Sequence, residues 1–137
     1  MKLGVVGGAG LLGSTSAFLA GMKGYLEEIK LLDVKENLVK NHVMDMAQAI
    51  YSSDTKVTFA QYKDLSDCGA ILITASLPER KVANRLEYLW DNMNIIKPVC
   101  ESIRENCPHQ PVIINATNPV DIFNYIIWKE LGWDRKK

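Results

Sequence analysis

The chain has 137 residues, 47% hydrophobic and 23% charged, enough for one globular domain with a core and too few for two. Sixteen Lys and Arg balance sixteen Asp and Glu, so the basic stripe that nucleic acid or an anionic membrane surface requires is missing. No apolar run approaches the roughly 20 residues of a membrane span, the start Met1-Lys2-Leu3-Gly4 is unlike a signal sequence, and Cys68, Cys100 and Cys107 lack a C-x-x-C pair; these features point to a cytoplasmic protein without a disulfide framework or zinc site.

Lys2 to Gly7 is a short apolar run that stops at a glycine cluster, as a buried strand feeding a tight turn does. Leu11 to Lys23 contains no proline, carries Ala17, Phe18, Leu19, Ala20 and Met22, and closes at Gly24; it predicts a helix with a C-terminal glycine. Glu28 to Asp33 reads as a second strand. From Glu36 to Tyr51, Leu38, Val39, Val43, Met46, Ala47 and Ile50 recur at helical spacing. Val57 to Phe59 is a brief third strand and Asp64 to Asp67 a turn. Ala70 to Ala75 is continuous, branched and uncharged, the pattern of a strand buried in a parallel sheet. A polar loop, Ser76 to Asn84, precedes helical spacing from Arg85 to Asn106 through Leu86, Leu89, Trp90, Met93, Ile96, Cys100 and Ile103, where Pro98 should kink or split the helix. Val112 to Asn115 is a fifth strand. Pro119 to Leu131 is a last helix, with Ile122, Phe123, Ile126 and Ile127 inward and Gly132 beyond its end. Strands alternating with helices read as β-α-β units, hence a Rossmann-type doubly wound parallel sheet of about five strands with helices on both faces.

Gly8-Ala9-Gly10-Leu11-Leu12-Gly13 follows a predicted strand and opens a predicted helix, and Asp33 ends the next strand 20 residues after Gly13. That context marks a dinucleotide fingerprint. Gly8 allows the turn, Gly10 removes the side chain that would block a pyrophosphate, and Gly13 lets helix and strand approach, while the helix N-terminus offers free N–H groups to the phosphates. Asp33 would accept bonds from both ribose hydroxyls and repel a 2′-phosphate, which favours NAD over NADP. Asn118-Pro119-Val120-Asp121 reads as a helix start, with Asn118 as N-cap and Pro119 as first helical residue. It also stands at the carboxyl edge of the sheet, where ligands bind in such folds.

With this glycine loop, Ile73-Thr74-Ala75, Arg85-Leu86 and Thr117-Asn118-Pro119-Val120-Asp121 in this order, the whole chain resembles the coenzyme-binding half of the lactate/malate dehydrogenase family. The resemblance implies one NAD-binding domain over 1–137, in which Gly8 to Gly13 and Asp33 meet the pyrophosphate and adenosine ribose. Thr74, Ala75 and Ser76 stand at the end of the fourth strand against the coenzyme, and Asn92 matches a coenzyme-touching asparagine. Ala116, Thr117 and Asn118 match the nicotinamide-side segment, and Asn118 also the substrate-binding asparagine. The peptide before the matching proline is often cis. Arg85 matches the arginine that closes over the substrate and polarises its carbonyl; with Glu79 and Arg80 it completes the substrate-binding set on this half. The helix over Glu36 to Tyr51 often lies in a subunit interface, where His42, Met44 and Met46 could serve, so the parent protein is expected to be a homo-oligomer acting on a small 2-hydroxy or 2-oxo acid.

Three positions depart from the pattern. Ser76 and Val82 replace usual glycines, and Glu79 stands where malate enzymes carry arginine and lactate enzymes glutamine, so lactate and malate both stay open as substrates, as does a non-catalytic nucleotide-binding or interaction module. A reductase of another Rossmann class finds no support at Tyr88, because Asn92 stands where a Tyr-x-x-x-Lys pair needs its lysine. In the family the catalytic histidine, its aspartate and a second arginine come later in sequence than residue 137. His42, within a helix, and His109, in a Pro-His-Gln-Pro loop, read as surface or packing residues. The chain thus reads as an inactive piece of a longer dehydrogenase, with a sixth strand missing and an apolar strand left at one sheet edge.

Overall fold

The computed structural model describes residues 1–78 and 85–134, without the side chains of Arg85 and Leu86. Glu79, Arg80, Val82 and the Arg85 side chain, all singled out above, lie outside the described residues. Strands β1 (Lys2–Val6), β2 (Glu28–Leu32), β3 (Lys56–Phe59), β4 (Ala70–Ile73) and β5 (Val112–Asn115) alternate with helices α1 (Leu11–Lys23), α2 (Glu36–Ala49), α3 (Arg85–Asn106) and α4 (Val120–Leu131). The strands form one parallel sheet in the order β3-β2-β1-β4-β5. The order reverses between β2-β3 and β4-β5 on either side of β1, which places a topological switch point beside the carboxyl end of β1.

Alternation along the strands divides the core in two. Val5, Ile29, Leu31 and Val57 pack with Ala17 of α1 and with Val39, Met46 and Ile50 on and just past α2. On the opposite face Val6, Leu32, Ile71 and Ile73 pack with Ile96, Cys100 and Ile103 of α3 and with Phe123, Ile127 and Leu131 of α4. Helices therefore cover both faces, as a parallel sheet buried on two sides requires.

Several local expectations shift. The core-facing residues of α1 are small, Gly13, Ala17 and Gly21, while Leu19 and Met22 are exposed, so the helix lies close on the sheet through its lack of bulk. Met46 is buried against its own core, whereas Met44 is exposed. Leu38, Trp90 and Ile122 are exposed too, at the margins of their apolar stripes. Pro98 does not split α3: it and Asn94, whose carbonyl loses a helical partner, are exposed, so water can replace the missing N–H. The turn after β3 is a 3-10 helix, Tyr62–Leu65, begun by the Gln61 N–H donating to the Asp64 carboxylate at 2.8 Å. β5 forms an open edge at which Val112 and Ile114 are 48% and 49% exposed. Among the described residues no helix is long and apolar enough to cross a membrane.

Candidate functional site

Because every strand is parallel, all carboxyl ends meet at one edge. β1 leaves the sheet through Gly7, whose φ of +94° is a left-handed conformation that disfavours side chains. The N–H groups of Gly7 and Gly8 both donate to Leu32 O at 3.0 Å, and Gly10 N–H donates to Gly7 O at 3.0 Å. This corrects the motif: the turn belongs to Gly7, where an added Cβ would lie 2.6 Å from Thr74 Oγ1 and 2.7 Å from Ala75 N, whereas Gly8 packs on Leu31. The working spacing is Gly7-x-x-Gly10-x-x-Gly13. The double glycine at 7 and 8 was the available signal, and sequence alone assigns the turn to the wrong member. At Gly13 a Cβ would collide with Gly7 O and lie 2.8 Å from Thr74 Oγ1, so α1 and β1 touch through backbone alone. At Gly10 a Cβ would meet only Gly7 O, at 3.3 Å; its outer side is open to an approaching ligand.

Helix α1 has Gly10 as N-cap, no side-chain cap and no acid in its first turn. Ser14 N–H is the first to bond back, to Gly10 O at 2.9 Å, so helix geometry leaves the N–H groups of Leu11, Leu12 and Gly13 directed out of the positive end. Asp33, just past β2, accepts Ala9 N–H on Oδ2 at 3.2 Å and Lys35 N–H on Oδ1 at 3.0 Å. Each oxygen keeps a further lone pair for a hydroxyl donor. The acid and the glycine loop, far apart in sequence, are therefore in direct contact.

Beyond β4, Thr74 donates from Oγ1 to Val6 O at 3.1 Å and buttresses the glycine turn from beneath. Ala75 O accepts from Thr117 Oγ1 at 3.0 Å, and Ser76 is exposed at the edge. Beyond β5, Asn115 accepts Thr117 N–H at 2.9 Å and donates to Asn124 Oδ1 at 3.1 Å, an Asx turn that shapes the approach to α4. Sequence reading missed Asn115, although an Asn ending a strand two residues before a Thr is a signal for such a turn. The Asn118-Pro119 peptide is cis. Asn118 is not the N-cap: α4 starts at Val120, Pro119 takes the cap position with its carbonyl accepting Phe123 N–H at 3.0 Å, and the exposed Asn118 stays outside the helix. Asn92 and Thr117, expected to face the coenzyme, have buried side chains spent on backbone groups.

Other polar groups stand apart from this edge. His109 pairs through Nε2 with Cys68 O at 2.8 Å at the amino edge, and His42 lies on α2. Burial pushes the Cys68 thiol up to about 11 and Cys100 up to about 12, so both stay neutral and unreactive. Tyr62 is pushed up to about 12, chiefly by burial and further by Cys100 and Asp33, so its phenol adds no second negative charge beside Asp33. The edge thus gathers backbone N–H groups, one anchored carboxylate and the uncharged segments Thr74 to Ser76 and Ala116 to Asn118.

A family model described as "lactate/malate dehydrogenase, NAD binding domain" matches residues 1–137. The chain is 39% identical over 140 residues to the malate dehydrogenase of Archaeoglobus fulgidus, covering 100% of this chain and 47% of that protein. It is 33% identical over 135 residues to L-lactate dehydrogenase 2 of Bacillus cereus, covering 97% and 43%. The solved structure of the Archaeoglobus fulgidus malate dehydrogenase in complex with NADH superposes with a TM-score of 0.89 at 39% identity, covering 98% of this chain and 46% of that one. A lactate dehydrogenase from a Medee basin deep-sea metagenome library superposes at 0.88 with 30% identity, covering 97% and 42%. The chain spans about half the length of the relatives it matches.

Proposed function

The chain belongs to the lactate/malate dehydrogenase family, as that family's NAD-binding domain, and from this premise we propose that residues 1–137 bind NAD(H) across the carboxyl edge for hydride transfer between the coenzyme and a 2-hydroxy/2-oxo acid. The observation that carries the reading is the 3.2 Å bond from Ala9 N–H to Asp33, which fixes an acid beside the glycine turn. The open outer side of Gly10 and the uncapped start of α1 fit a pyrophosphate. Asp33 holds the adenosine ribose and disfavours a 2′-phosphate. The other half of the dinucleotide then extends past β1 over the loops that follow β4 and β5, toward Asn118. When bound, the coenzyme supplies the hydride donor or acceptor.

The same reading gives Arg85 the polarisation of the substrate carbonyl, with Glu79, Arg80 and Asn118 choosing the acid. The proton donor comes from the part of the parent protein corresponding to the relatives' unmatched half, because His109 is engaged at the opposite edge and His42 lies on α2. The parent is then a cytoplasmic homo-oligomer whose partner in catalysis is a small acid.

The test is a fluorescence titration of this chain with NADH and NADPH, repeated with Asp33→Ala. NADH preference that disappears in the variant is the expected result. Equal affinity for both coenzymes, or none for either, overturns the assignment of Asp33 and the glycine loop. Turnover of lactate or malate by the purified chain would remove the claim that the proton donor lies elsewhere.

A further inference from the structure

The backbone ladder between β4 and β5 ends at Ile73 and Asn115, followed by one last bond from Ala116 N–H to Ile73 O at 2.9 Å. Past that point the two loops have no sheet to hold them together. Three side-chain bonds take over. Thr117 Oγ1 donates to Ala75 O at 3.0 Å; Asn92 accepts Leu77 N–H on Oδ1 at 2.9 Å and donates from Nδ2 to Asn118 O at 3.2 Å. Tyr88 OH donates to Leu77 O at 2.6 Å, so Leu77 is held on both sides.

Asn92 is 0% and Thr117 1% exposed. A buried amide or hydroxyl is costly unless each polar end finds a partner, and an apolar residue of like size would fill either space without that demand. Here every polar end is satisfied by backbone of a different loop. We propose that Asn92 and Thr117 are positioning residues that set the separation of the two loops, and hence the slot for the nicotinamide half of the coenzyme. This rests on the coenzyme reading above. It differs from a contact role for Asn92, because the side chain is fully buried with both ends of its amide engaged by backbone. It also makes the effect local: Asp33 follows β2, on the far side of β1 from β4 and β5, so the adenosine half lies outside the reach of these bonds.

The experiment compares NADH with ADP-ribose, which keeps the adenosine and pyrophosphate and lacks nicotinamide. Wild type, Asn92→Asp, Thr117→Val, Thr117→Ser and Tyr88→Phe are titrated with both, and each variant is melted to establish that it folds. Asn92→Asp keeps the acceptor for Leu77 and turns the donor toward Asn118 O into a second acceptor. The expected result is a fall of about tenfold in the ratio of NADH to ADP-ribose affinity for Asn92→Asp and Thr117→Val, from a buried acceptor or carbonyl left unpaired. Thr117→Ser restores the ratio, and Tyr88→Phe shifts it in the same direction by less. Folded variants that lose both ligands by one factor, or neither, overturn the proposal in favour of a purely structural role. So does a wild type that binds both ligands equally, which leaves the dinucleotide reading standing. A wild type that binds neither overturns the dinucleotide reading and this inference with it. If Asn92→Asp does not fold, Thr117→Val against Thr117→Ser decides.

Discussion

The two edges of the sheet are built from opposite materials. At the carboxyl edge the chain uses glycine, backbone amides, one carboxylate anchored by N–H groups, and neutral Asn and Thr side chains. Toward the amino edge it uses charge. Lys2 Nζ stands 2.8 Å from Asp67 and 3.3 Å from Glu28, and Lys30 Nζ stands 2.6 Å from Asp67 and donates to Asp64 O at 2.7 Å. Lys30, with a side chain 11% exposed, crosses from β2 to the 3-10 turn and ties it beneath the sheet. A charged network at the carboxyl edge would compete with an anionic ligand for the same N–H groups. Confined to the other side, it stabilises the domain without touching the site. Stability and binding should therefore separate by location.

The largest effect tests the carboxyl edge itself, where close approach and ligand access rest on different glycines. Gly13→Ala places a methyl against Gly7 O and should cost about 3 kcal/mol by overpacking, with NADH binding lost as well; denaturant unfolding measures the first and fluorescence titration the second. Gly10 has extended backbone, φ −76° and ψ 157°, so Gly10→Ala should unfold within about 0.5 kcal/mol of wild type and still lose most of its NADH affinity. A Gly13→Ala variant as stable as wild type would break the close-packing half of the comparison.

Next in size is the amino edge. Lys30→Met keeps the apolar stem and removes the ammonium that Asp67 and Asp64 O share, which should lower unfolding free energy by about 2 kcal/mol. NADH affinity of the folded fraction should stay within about twofold of wild type, as expected for sites without shared partners. Loss of affinity beyond that would show that the two edges are coupled.

The architecture was legible because it is written in periodicity: five apolar runs, four helical stripes and the spacing from Gly13 to Asp33 each follow from local physics. What was not legible depends on three-dimensional neighbours. Gly7 and Gly8 are indistinguishable in a string, and only the position of Thr74 decides which one must lack a side chain. Asn92 sits on an otherwise apolar helical stripe and becomes interpretable only when Leu77 and Asn118 arrive from two other segments. Lys30 in a buried strand looks like an ordinary exposed lysine until the turn after β3 folds over it. The start of α4 lies one residue later than the string suggests, because Pro119 takes the cap position with its carbonyl accepting Phe123 N–H.

The smallest predicted effect is an acid one, and its sign follows from Asp67. Hydrogen bonds from Lys2 and then Lys30 hold its carboxyl down from 3.8 to about 2, so the folded state favours the charged form more than the unfolded chain does. Its contribution is complete above about pH 4 and lost as pH falls toward 2. The same network, led by the bond to Asp67, raises Lys2, whose contribution is lost only as pH rises past 10.5. Asp67 is 49% exposed, and solvent screening keeps its share below about 1 kcal/mol. Thermal melts between pH 6 and 2 should therefore show a shallower acid decline for Asp67→Asn than for wild type, with a difference that shrinks in about 1 M salt. At neutral pH both proteins should bind NADH alike. An Asp67→Asn variant whose acid profile overlays wild type would mean that the amino-edge charges are solvated bystanders, and that the apolar core alone carries the stability of this side of the sheet.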